Sequence, residues 1–169
     1  MVSGETTTTT ATTTTAETTA AIVTPRNLLV NSDAELGSIS GWIQDGASEV
    51  IIDSGGLLNS GYNPYKGKFC FAGGYGRATP SRLVQNVSLV GGLRDWTEQQ
   101  LDSGARRAQA TFHYQTYSTL FMMHDLVEVT LTFRSASMSL IQTLSSGKLA
   151  CKSSNPGWCS HMIDRKSVV

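Results

Sequence analysis

An all-β chain folded as an antiparallel sandwich is the fold class this sequence predicts, and three observations predict it. Short runs rich in β-branched and aromatic residues recur along residues 26–169. Clusters of Gly, Asn, Ser and Pro separate them. No segment reads as a long amphipathic helix. Seven short strands with long irregular connections suit two packed antiparallel sheets better than any layered helical architecture.

Taken in order, the expected strands are Asn27 to Val30, Ser48 to Asp53, Lys68 to Ala72, Arg82 to Leu89, Ala108 to Tyr117, Leu126 to Arg134 and Ser139 to Leu144. The first passes from an apolar run into a loop dense in oxygen-bearing side chains and closes on Gly41 and Trp42, read as a core anchor. The period-two pattern is clearest at 125–133, where Val127, Val129, Leu131 and Phe133 share one face and Glu128, Thr130 and Thr132 the other. Ala108, Ala110, Phe112 and Tyr114 likewise share a face, while Arg107, Gln109, Thr111, His113 and Gln115 form a polar one fit to line a concave surface. Leu93 to Leu101 is the one stretch where a helical turn could form.

The chain divides into a Thr-rich segment, 1–25, and one domain, 26–169. Between Thr6 and Thr19 only Ala11, Ala16 and Glu17 interrupt the threonines, so this tract has nothing to bury and is expected to be disordered. It reads as an O-glycosylated stalk or a plain linker, and the Asn86-Val87-Ser88 sequon is a second extracellular hint that marks Asn86 for glycosylation. Charged residues make up 15% of the 169 and sum to zero, leaving no basic patch for nucleic acid. No apolar run is long enough to cross a bilayer, and the first residues do not form a secretory signal. The expectation is an internal piece of a larger multidomain secreted or cell-surface protein.

Several pieces in order carry a resemblance: Asn27 to Asn31 with Asp33, Glu35, Gly41 and Trp42; Pro64 and the run Gly67 to Gly76; Leu83 to Leu89; Asp102 to Gly104; and Asp125 to Phe133. Together they resemble the galactose-binding-domain-like jelly rolls, which include carbohydrate-binding modules and extracellular adhesion modules. The resemblance spans about Asn27 to Trp158. It implies a non-catalytic jelly-roll β-sandwich that binds sugars through loops or a concave face, often with a structural calcium ion after the first strand. That ion would fall on Asn31, Asp33 and Glu35, hard oxygen donors of the kind calcium takes about six to eight of. An Asn/Asp turn satisfying its own backbone amides has the same sequence appearance. The segment 160–169 has little strand patterning, so either the final strand of such a sandwich is missing, leaving an edge unpaired, or these ten residues serve as that strand poorly.

Cys151 and Cys159 lie eight apart in a loop-like segment, a spacing that suits a local disulfide in an oxidising compartment, with free thiols as the alternative. Cys70, between Phe69 and Phe71, reads as a small buried hydrophobe. No nucleophile elbow, phosphate loop or zinc spacing supports an enzyme, and His124 and Asp125 point to opposite strand faces. Sugar recognition needs aromatic rings to stack on a pyranose and polar side chains to bind its hydroxyls. Tyr62, Asn63, Tyr65, Tyr75 and Arg77 surround the third strand, and Trp96, His113 and Gln115 could join them. Trp158 is read as packing on the Cys151 to Cys159 loop. The leading expectation is a glycan-binding module for glycans or glycosylated surface proteins; the alternative is an interaction or spacer module of the same fold without a sugar site.

Overall fold

The computed structural model describes residues 27–165 except 59, 75–79, 93–94, 105, 119–124 and 153–155. The Thr-rich segment lies outside them. Among the described residues eight strands and one helical turn follow in order: β1 (Ile43–Gln44), β2 (Ile51–Asp53), β3 (Cys70–Ala72), β4 (Leu83–Val84), α1 (Glu98–Asp102), β5 (Ala108–Tyr114), β6 (Thr130–Arg134), β7 (Leu140–Ser145) and β8 (Cys159–Arg165). The all-β class holds. Its ladders are narrow: among the described residues each sheet has two antiparallel strands, paired β1 with β4, β2 with β3, β5 with β8 and β6 with β7. The pairing is nested twice, with β2–β3 inside β1–β4 and β6–β7 inside β5–β8.

The alternating faces fold as their patterning dictates. Along β5 the residues Ala108, Ala110, Phe112 and Tyr114 turn inward and Gln109, Thr111 and His113 outward. Residues 127–133 alternate in the same sense, with Val127, Val129, Leu131 and Phe133 half-buried. Among the described residues the buried apolar side chains are Ala34, Val50, Cys151 and Ile163. Trp42 keeps its anchoring role: its ring meets Phe71 edge-on at 5.7 Å, and its Nε1 donates to Asn31 O at 3.0 Å. Thr97 caps α1, its hydroxyl accepting from Gln100 N while the Gln100 side chain accepts from Thr97 N. The helical turn thus overlaps the expected stretch, 93–101, and runs one residue past it.

Two expectations are corrected. Asn27 to Val30 is a turn rather than a first strand. Asn27 Oδ1 accepts from Leu29 N at 3.1 Å, an Asx-type closure. The Gln85 side chain takes both Val30 N (2.8 Å) and Val30 O (3.0 Å). With its backbone groups met by a side chain, this segment has no ladder to join. The second correction is at the other end, where Cys159–Arg165 is a full strand, paired with β5 over seven positions from Tyr114↔Cys159 to Ala108↔Arg165. Ile163, buried at 7% exposure opposite Ala110, is its apolar anchor. The Arg107 guanidinium grips the Asp164 carboxylate through Nε and Nη2 at its outer end.

Candidate functional site

The site is best built from the loop between β2 and β3. Buried Asp53 ends β2, and its carboxylate accepts from Gly55 N (2.6 Å) and Leu57 N (3.2 Å), turning the chain sharply. The loop then crosses to the second half of the molecule. There Asn63 O accepts two donors, Gln115 Nε2 at 2.8 Å and Trp158 Nε1 at 2.9 Å. Tyr65 stacks on His113 with ring centroids 3.8 Å apart and planes 13° from parallel, and meets Trp158 edge-on at 5.6 Å. His113 reaches this position because it lies on the outward face of β5. Trp158 reaches it because the Cys151–Cys159 disulfide closes the loop that carries it, with Cα atoms 5.6 Å apart. The expected disulfide is therefore present.

Of the residues expected to bind a ligand, Asn63, Tyr65, His113 and Gln115 come together in one seam. Tyr65 stays 55% exposed, so the cluster presents an open aromatic surface beside polar groups. Tyr62 lies next to the seam but is turned against Tyr117, ring centroids 5.9 Å apart. Burial, with Tyr117 and Asp125 alongside, pushes its phenol above the ordinary range. Trp96 does not join: the Arg106 guanidinium sits 5.4 Å from its ring centroid, and no ring contact ties it to the Tyr65 cluster among the described residues. Tyr75 and Arg77 lie outside the described residues. Trp158 is the member that sequence reasoning placed elsewhere; its position inside a short disulfide ring was the available signal that it is held rather than free.

No family model, curated protein or solved structure matches the chain. The functional reading therefore rests on the seam's own geometry.

The calcium donors implied by the resemblance have other work. Asn31 donates Nδ2 to Ser38 O (2.8 Å) and Ser40 O (3.2 Å), while its Oδ1 accepts from Leu36 N at 3.1 Å. Asp33 Oδ1 accepts from Glu35 N at 3.3 Å. Glu35 reaches away to the segment just before β3, where one oxygen accepts from Lys68 N (2.8 Å) and Phe69 N (3.0 Å) and lies over Gly67, whose φ of +80° and lack of a side chain permit the approach. Among the described residues no three His, Cys, Asp or Glu side chains converge as a metal shell. These residues form a turn closed on backbone groups plus a strap to the segment just before β3. Glu35→Ala should accordingly lower stability by about 1 kcal/mol, read by urea denaturation. Added chelator should leave the wild-type melting temperature unchanged, and a drop would return the loop to calcium.

Cys70 behaves as the small hydrophobe its flanks suggest. Half-buried in β3, its thiol is pushed up to about 11 by burial and by nearby Asp53. The sign follows from linkage: the native state holds the thiol proton more tightly, so this contribution is intact below the unfolded value of 9.0 and is lost as pH rises through about 11. Cys70→Ala should flatten that alkaline fall in stability, and native wild-type protein should resist thiol reagents at neutral pH.

Proposed function

We propose that this chain is a non-catalytic extracellular glycan-binding module, a galactose-binding-like jelly-roll sandwich carried on a Thr-rich stalk within a larger protein. The observation that carries the reading is the seam where exposed Tyr65, stacked on His113 and flanked by Trp158, stands beside Asn63 and Gln115. An aromatic face beside amide and imidazole groups is what a pyranose needs: an apolar surface for its C–H face and donors and acceptors for its hydroxyls. The disulfide supports an oxidising compartment. No helix among the described residues is long and apolar enough to cross a membrane. A glycan array probed with the full chain tests the proposal, with retention of a defined sugar class expected and silence across the array overturning it.

A second reading, an interaction or spacer module without a sugar site, has its own observation. Met138, Leu140 and Ile141, at the turn and start of β7, are 63%, 62% and 47% exposed. Apolar side chains gathered on one outer ladder suit a protein partner.

A further inference from the structure

We infer that Asn86 carries an N-linked glycan whose first sugar lies over the apolar groove beside it. The groove has a volume of about 270 Å³, close to the small end of ligand pockets, and Asn86 is part of its wall. Its apolar surfaces are Leu28, Val30 and Val87, with Val30 52% exposed. Gly41 adds a stretch without a side chain, where a Cβ would come within 2.9 Å of Val30 Cγ1.

The walls are held in place by one residue. Gln85, next to the sequon, binds Val30 N and O and also donates to Gly41 O at 2.7 Å, so both sides of the groove are tied to the base of the Asn86 side chain. Asn86 itself is exposed, and its amide makes no hydrogen bond among the described residues. It is therefore free to react, where a structural Asn such as Asn31 is not. Asn-Val-Ser supplies the acceptor pattern. A lipid-diphosphate-linked oligosaccharide supplies the sugar: Asn86 Nδ2 bonds to the anomeric carbon of N-acetylglucosamine, the bond from that carbon to the diphosphate breaks, the lipid diphosphate leaves with the electron pair, and the amide proton passes to the transferase. A ring attached at the wall of an exposed apolar groove covers it at little entropic cost, since the covalent bond already supplies proximity. The glycan thus shields surface that would otherwise invite association.

This inference rests on the secretory part of the proposed function and is independent of its sugar site. The full chain, given a secretory leader and produced in eukaryotic cells, is checked for the oxidised Cys151–Cys159 bond and then analysed by glycopeptide mass spectrometry. Occupied Asn86 is expected, with loss of occupancy in both Asn86→Gln and Ser88→Ala. Enzymatic removal of the glycan from folded protein should raise the fluorescence of a hydrophobic dye several-fold, and Val30→Ser should suppress that rise. Unmodified Asn86 in protein with the disulfide formed overturns the site. Dye fluorescence unchanged by glycan removal overturns the covering role. A silent glycan array would count against the sugar site alone.

Discussion

Replacing Cys151 and Cys159 together with serine is expected to lower the unfolding free energy by about 2.5 kcal/mol, the loop-closure entropy of a ring of roughly eight residues. Ligand binding should fall with it. Buried Cys151 anchors the ring, its N–H donating to the hydroxyl of buried Thr116 at 2.7 Å, and Cys159 opens β8 opposite Tyr114. The disulfide therefore ties the start of β8 to the segment after β5. Trp158 is the residue just inside the closure, and its indole reaches Asn63 O and the Tyr65 ring. Without the ring, Trp158 keeps its single hydrogen bond but loses the covalent end that fixes its backbone, and ordering the loop costs conformational entropy at the moment of binding. Urea denaturation measures the first effect. The second is read by affinity under conditions where the variant remains folded, and wild-type affinity there would show that the ring does not position Trp158.

How much of this was legible depended on whether the information was local. β5 and β6 could be read because alternation along one strand is written in consecutive residues, and Phe112 or Leu131 needs no partner to declare its face. β8 could not. His161, Met162 and Asp164 make a poor strand by composition, and they form one because β5 lies alongside: Asp164 meets Arg107, and the His161 ring meets Phe112 at 5.6 Å. The reverse holds for Leu28 to Val30, apolar enough for a strand but claimed by the distant Gln85 side chain. Within the site, the residue types were readable and their pairing was not. Tyr65 and His113 lie far apart in sequence, and only the docking of the loop between β2 and β3 onto β5 brings their rings together. The Asn31 loop was ambiguous from the start, since a carboxylate aimed at an amide and one aimed at an ion look alike until the amide is located.

Tyr65→Ala is expected to weaken glycan affinity by about 30-fold, the roughly 2 kcal/mol of a central aromatic anchor, with little loss of stability. The reasoning turns on exposure and contact together. A ring 55% exposed contributes little to the folded core, so its removal is felt by the ligand first. Its loss also frees His113, which has Tyr65 as its stacking partner, so donor orientation and apolar platform disappear in one substitution. Tyr65→Phe keeps the stack and should retain most of the affinity, separating the ring from its hydroxyl. Trp96→Ala supplies the contrast. That side chain is as large a platform as any in the chain, yet the Arg106 guanidinium lies against its ring, and its truncation should leave binding unchanged. Titration calorimetry on the three variants with an array-selected glycan decides between locations. Loss confined to Tyr65→Ala places the sugar in the seam, whereas loss confined to Trp96→Ala would move the site to the Arg106 side and leave the Tyr65, His113 and Trp158 cluster as packing between the two halves of the fold.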